Sequence, residues 1–143
     1  MIATDPYHLQ RFVDAQDSCY AQVHSELAAG NKRSHWMWFV FPQIQGLGSS
    51  AMAQRFAISG IEEAKAYLDH PLLGARLREC TGLVNGLTGR AIDDIFGYPD
   101  DLKFHSSVTL FARAADGPSV FAEALGKYFN AVPDQATLDR LRG

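Results

Sequence analysis

Along most of the chain, apolar residues recur three and four positions apart, the helical period, and they outline a succession of short helices. Thr4-Asp5-Pro6 is a helix-start signal, because a side-chain oxygen caps free amides and Pro is tolerated in the first turn. Leu9, Phe12 and Val13 then share one face. Asp17 or Ser18 is the next cap, ahead of Tyr20, Val23 and Leu27, and Ala28-Ala29-Gly30 closes that segment. Met52 and Phe56 belong to a helix whose cap is Ser50; Ser59-Gly60 interrupts before Ile61, Ala64 and Leu68. Leu73, Leu77, Cys80, Val84 and Leu87 step by 4, 3, 4 and 3, which predicts a helix of about four turns. Ala91 to Phe96 forms a short acidic helix. A longer one follows with Asp100 and Asp101 in its first turn and Phe104, Val108 and Phe111 facing inward. After the turn at Asp116-Gly117, Phe121, Leu125 and Tyr128 repeat the spacing, and Pro133 opens a polar C-terminal helix that frays.

One stretch resists this reading. Trp36 to Phe41 is apolar at every position, so neither a period of 2 nor one of 3.6 can be extracted, and a short buried helix capped by Ser34 competes with a buried strand. Pro42 ends either one. No other run alternates apolar with polar, and no strand-flanked Asn-Gly or Asp-Gly pair appears. The expectation is an all-α fold: a single compact domain over residues 1–143, built of six to eight short helices.

At 143 residues the chain has the size of one domain, with enough core to fold without staples. Hydrophobic residues make up 47% and charged residues 20%, which excludes a charge-dominated disordered chain. The formal charge of −3 lacks the basic excess that nucleic acid or an anionic membrane calls for. Cys19 and Cys80 are read as reduced thiols. The start MIATDPYHLQ carries no basic, then apolar, targeting pattern, so the expected compartment is the cytoplasm. Oligomeric state is not fixed by any of these features.

Two segments hold the polar groups that could carry chemistry. In the first, Asn31-Lys32-Arg33-Ser34-His35 runs into Trp36-Met37-Trp38 and ends at Gln43. A helix starting at Ser34 would offer unpaired amides beside Lys32 and Arg33, a setting for phosphate or carboxylate, while Trp36 or Trp38 supplies a stacking face. The competing reading makes the tryptophans core and the basic pair a solvated loop. In the second, Asp101, Lys103, His105, Ser106 and Ser107 lie off or at the edge of the Phe104 stripe. A serine with a histidine or lysine nearby is the minimum for nucleophilic chemistry, but no triad motif is present, and hydroxyls that bond back to the preceding turn are the simpler account.

Gly46-Leu47-Gly48-Ser49-Ser50-Ala51 satisfies G-x-G-x-x-A, yet Pro42 and the helical segment before Asp69 deny it the strand context of a dinucleotide site. The five histidines show no metal-ligand spacing. Asp93-Asp94 and Asp100-Asp101 are ordinary helix-start acids rather than a magnesium site, and Cys80 on its apolar stripe is packing rather than a nucleophile. No metal or cofactor is expected.

With these motifs laid out, the chain resembles the bacterial family known as domain of unknown function 1810. The resemblance rests on SHWMWFVFPQ from Ser34 to Gln43, GLG at Gly46 to Gly48, and the EA…YL…HPLL…RL passage from Glu63 to Leu77. It continues through IFG at Ile95 to Gly97 and DLKFHSSVTLF at Asp101 to Phe111. It implies a compact all-helical fold like an α-solenoid fragment, and no particular reaction, substrate or cofactor.

Three functions follow. The first is a binding domain in which Lys32, Arg33, His35 and Lys103 surround a pocket floored by Trp36 or Trp38. Ser34, Gln43 and Ser107 help to hold a small anionic or nucleotide-like ligand in it. The second is a hydrolase with His35 as acid or base, assisted by Asp101, Ser106 or Ser107, with Lys103 opposing negative charge. The third is a protein-interaction module, whose sign would be a contiguous exposed apolar patch. The first two require the 31–43 and 101–109 segments to meet in one hollow.

Overall fold

The computed structural model describes residues 4–142, so the first three residues of the N-terminal stretch, and Gly143, lie outside the described residues. The chain is all-helical, with ten helices among the described residues rather than six to eight. They are α1 (Gln10–Asp17), α2 (Tyr20–Ala29), α3 (Met37–Val40), α4 (Ala51–Arg55), α5 (Ile61–Asp69), α6 (Leu73–Asn85), α7 (Ile92–Phe96), α8 (Asp100–Ala115), α9 (Val120–Tyr128) and α10 (Gln135–Arg142). The excess arises because α3, α4 and α7 are only four or five residues long, too short for periodicity to count securely.

Thr4-Asp5-Pro6 does not open α1, which starts at Gln10 with Leu9 as its N-cap; the Asp5 carboxylate reaches forward to accept from the amides of Leu9 at 2.7 Å and Gln10 at 2.9 Å. Neither Asp17 nor Ser18 caps α2, whose N-cap is Cys19 without a side-chain bond. Ser50 caps α4 as expected, accepting from Ala53 at 3.1 Å. The Trp36–Phe41 stretch resolves into the single turn α3. Its N-cap is Trp36, so Ser34 caps nothing. The only pairing of strand type among the described residues is one isolated parallel bridge, Ile44 to Ile58, which leaves the G-x-G-x-x-A loop without a β-sheet to serve.

Helix α8 occupies the centre, flanked by α5, α7, α9 and α10. A helix enclosed on so many sides buries residues all round rather than along one stripe, and this is why Ser106, Ser107 and Thr109 are buried with Phe104, Val108 and Phe111. The predicted polar face is accordingly corrected to an interior one. Two of these hydroxyls lie against the preceding turn: Thr109 Oγ1 donates to His105 O at 2.8 Å, and Ser106 Oγ lies 3.2 Å from Leu102 O. Helices α5 and α6 meet at Gly74, where an added Cβ would lie 2.1 Å from Leu68 O, so only glycine permits that approach.

An aromatic cluster ties α3 to α7 and α8. Phe41 meets Phe104 edge-on at 5.1 Å and Phe96 at 5.7 Å, while Phe96 stacks on Phe104 at 4.8 Å. These contacts bring the two polar segments alongside each other. Cys80 is fully buried, and burial pushes its thiol up to about 12, so it is packing. No helix among the described residues is long and apolar enough to cross a membrane.

Candidate functional site

Gly30 decides the course of the first segment. Its left-handed backbone, with φ of 71°, ends α2 and turns the chain back across that helix. The amides of Arg33 and Ser34 thereby arrive over Glu26, and its Oε1 accepts from them at 2.8 and 3.0 Å. The Trp36 indole N–H donates to the same oxygen at 3.0 Å, and Ser34 Oγ donates to Oε2 at 2.6 Å. Glu26 is 8% exposed. Burial alone would raise its pKa, but the Ser34 hydroxyl, the two amides and the indole outweigh it and hold the group at about 2.

This knot corrects two expectations. The segment does gather free amides suited to an anion, and the anion that takes them is the protein's own carboxylate. Ser34 is consumed in the knot, and Trp36, 1% exposed, is core rather than the floor of a ligand pocket. Glu26 escaped the sequence reading although its position was a clue. It lies three residues after Val23 and beside Leu27, on the inward face of α2, where a carboxylate must find donors.

The second junction is open. Lys32 Nζ lies 2.8 Å from Asp100 Oδ2 and donates to Ser34 O at 2.6 Å, with its ammonium 5.0 Å from the centre of the Trp36 ring. Lys103 Nζ lies 3.5 Å from Asp100 Oδ1 and 5.3 Å from the Trp38 ring centre. Asp100 thus bridges one lysine from each segment. Around this bridge is a hollow of about 400 Å³ lined by Lys32, Arg33, His35, Trp38, Tyr98 and Lys103, with Met37, Phe96 and Pro99 completing the wall. Arg33 and His35 are exposed, Trp38 is half-buried, and its indole N–H donates to no group among the described residues. Three cationic side chains face one carboxylate here, in a chain of net charge −3. Lys32 is already satisfied, with a side chain only 6% exposed, so Arg33 and Lys103 are the cations a ligand would meet.

The remaining polar residues lie elsewhere. Ser106, 5% exposed, donates to Asp134 Oδ2 at 3.1 Å and borders a neighbouring hollow, not the one that holds His35. Gln43 lines that neighbouring hollow too. Ser107 is fully buried, with its hydroxyl unpartnered among the described residues, and lines neither hollow. Asp101 likewise lines neither; its Oδ1 accepts from the Leu102 amide at 2.9 Å. His105 turns toward the 129–132 segment, stacking on Phe129 at 4.0 Å with Nε2 2.8 Å from Val132 O. The hydrolytic set of His35, Asp101, Ser106 and Ser107 is therefore dispersed, because α8 sends its hydroxyls inward while His35 faces outward.

Other cavities offer less. One of about 470 Å³ beside α5 and α9 has Lys65 and Arg78, but Asp69 offsets them and Arg78 donates to Leu68 O at 3.2 Å. One of about 620 Å³ near the start of α1 carries Asp5, Asp69 and His70 and no Lys or Arg. Among the described residues no group of three or more His, Cys, Asp or Glu could hold a metal ion. The large exposed apolar side chains are Tyr98 (81%), Leu102 (52%) and Val132 (58%), of which the first two rim the hollows beside Lys103.

Comparison with known proteins agrees with the fold and assigns no activity. No curated protein matches the chain. The crystal structure of the conserved hypothetical protein Rv1873 from Mycobacterium tuberculosis is 57% identical, over 97% of this chain and 99% of that one, with a TM-score of 0.95. Residues 6–141 match DUF1810, described as a protein of unknown function, and with that match spanning nearly every helix the chain belongs to the DUF1810 family.

Proposed function

We propose that this chain is a binding domain for a small anionic, nucleotide-like ligand, seated between Arg33, His35, Trp38 and Lys103. One observation carries the reading. An acidic protein concentrates Lys32, Arg33 and Lys103 around a hollow whose wall includes a half-buried indole with a free N–H. Cations supply attraction for phosphate, and the indole supplies a stacking face that tolerates any aromatic base. Its volume of about 400 Å³ falls within the roughly 300–1,000 Å³ of small-molecule sites. The proposed setting is the cytoplasm, consistent with the free thiols of Cys19 and Cys80. The hydrolase reading ranks lower, because His35 and Ser106 border different hollows.

Titration with ADP, UDP and inorganic phosphate, followed by heat and by tryptophan fluorescence, tests this directly. Both nucleotides are expected to change the Trp38 emission with Kd on the order of 10–1,000 μM, while inorganic phosphate competes weakly. Lys103→Glu should weaken nucleotide binding roughly tenfold or more, since one charge is reversed beside the phosphate. Absence of heat and of any fluorescence change at millimolar nucleotide overturns the reading.

A further inference from the structure

Beyond the first hollow, on the other side of Pro99 and Lys103, lies a second of about 490 Å³. Pro99 and Lys103 line both, so they form a shared partition, with the Lys103 ammonium on the Trp38 side. The chemistry of the two chambers differs. The second has no cation besides Lys103, and its polar groups are neutral or acidic: Gln43, Ser49, Ser50, Ser106 and Asp134.

Several of these groups have bonding capacity left. Asp134 Oδ2 accepts from Ser106 Oγ at 3.1 Å, Thr137 N at 3.1 Å and Thr137 Oγ1 at 2.6 Å, while Oδ1 accepts from nothing among the described residues. The Gln43 side-chain amide and the Ser49 hydroxyl also bond to no described residue, whereas the Ser50 hydroxyl is taken by Ala53 N. A free carboxylate oxygen, an amide with donors and an acceptor, and a hydroxyl together complement a polyol, whose hydroxyls each donate and accept. They do not complement a second phosphate, which would face Asp134 without a cation of its own. Leu47 and Ala53 add apolar wall suited to the C–H face of a sugar ring.

Resting on the reading above, we infer that the ligand spans both chambers: a nucleoside diphosphate that carries a sugar. Its base lies against Trp38, its phosphates lie beside Arg33 and Lys103, and its sugar passes the partition to Gln43, Ser49 and Asp134. The linear order of base, diphosphate and sugar matches that of the Trp38 indole, the Lys103 ammonium beside it, and the neutral polar groups beyond the partition.

The test compares UDP with UDP-glucose, and ADP with ADP-glucose, by calorimetry on the wild type and on Gln43→Leu, Ser49→Ala and Arg33→Glu, each checked for an unchanged melting curve. In at least one pair the sugar-bearing compound is expected to bind roughly tenfold tighter than the bare diphosphate. Gln43→Leu should remove most of that advantage and leave the diphosphate affinity within about twofold. Ser49→Ala, in an exposed loop, should reduce the advantage by a smaller factor and serves if Gln43→Leu does not fold. Arg33→Glu should weaken both members of each pair. If the diphosphates bind and the sugars add nothing in either pair, or the advantage survives both the Gln43 and Ser49 changes, the spanning ligand is wrong and the simpler anion site stands. If none of the four binds, both readings fall together.

Discussion

Two carboxylates receive the segment from Lys32 to Trp38, and they use it in opposite ways. Glu26, on α2, is enclosed by two backbone amides, the Ser34 hydroxyl, the Trp36 indole N–H and the Gln22 side-chain amide, which donates to Oε2 at 3.1 Å. Asp100, at the start of α8, holds two lysines at 2.8 and 3.5 Å and stands in the wall of an open hollow. The same short stretch thus has a closed face and an open one. The closed face fixes its backbone, so that the open face can present Arg33 and His35 without relying on a helix to orient them, while Trp38 follows in the single turn α3. Preorganisation of this kind places a binding group on a rigid support.

The contrast is measurable, beginning with its most costly element. Glu26→Ala leaves two amides and the Trp36 indole without their acceptor, and each buried donor so orphaned costs about 1–3 kcal/mol. Urea or thermal unfolding should register a loss of about 3 kcal/mol or more, with nucleotide binding lost as well because the support collapses. A loss below about 1 kcal/mol would show that the knot is not the support.

The same carboxylate should contribute to acid stability. Its folded pKa is held at about 2, below the ordinary value of 4.5, so the stabilisation is present above 4.5 and is lost as pH falls from there toward 2. In Glu26→Gln this part of the acid dependence should be missing. Equal steepness in the two proteins between pH 5 and pH 2 would assign the acid response to other groups.

Asp100→Asn separates the two faces by sign. Lys32 loses its charged partner while its side chain is largely buried, which should reduce stability by about 1–2 kcal/mol. Removing a negative charge 3.5 Å from Lys103 should at the same time raise nucleotide affinity severalfold. Lower affinity would recast Asp100 as a ligand contact rather than a brace. The smallest stability effect belongs to Arg33→Ala, at an exposed position on the open face. It should shift stability by less than about 0.5 kcal/mol and still weaken nucleotide binding severalfold, a split that marks a residue serving the site and not the fold.

Helical period made most of the scaffold legible. The spacing of Leu73, Leu77, Cys80 and Val84 and the inward set of Phe104, Val108 and Phe111 are buried as the pattern implies. Legibility failed where an element was one turn long, as at α3, and where a helix was enclosed on several sides, as at α8. Of the residues singled out for the site, Lys32, Arg33, His35, Trp38 and Lys103 line one hollow, and Gln43 and Ser106 line the adjoining one. Ser34 and Trp36 serve Glu26, Ser107 serves the core, and Asp101 faces neither hollow. Asp100, read from sequence as a helix-start acid, does stand in the first turn of α8 and also bridges the two segments.

By itself the amino-acid order determined the class of fold, the positions of most helices, and the two segments where charge sits next to aromatic rings. These depend on neighbours within a turn or two, so local chemistry suffices to read them. Tertiary structure alone decided which carboxylate would close over the Arg33 and Ser34 amides, which tryptophan would stay accessible, and which hydroxyls of α8 would be turned inward. Those outcomes depend on what packs against each side chain from a distant part of the chain, and a one-dimensional pattern does not carry that partner.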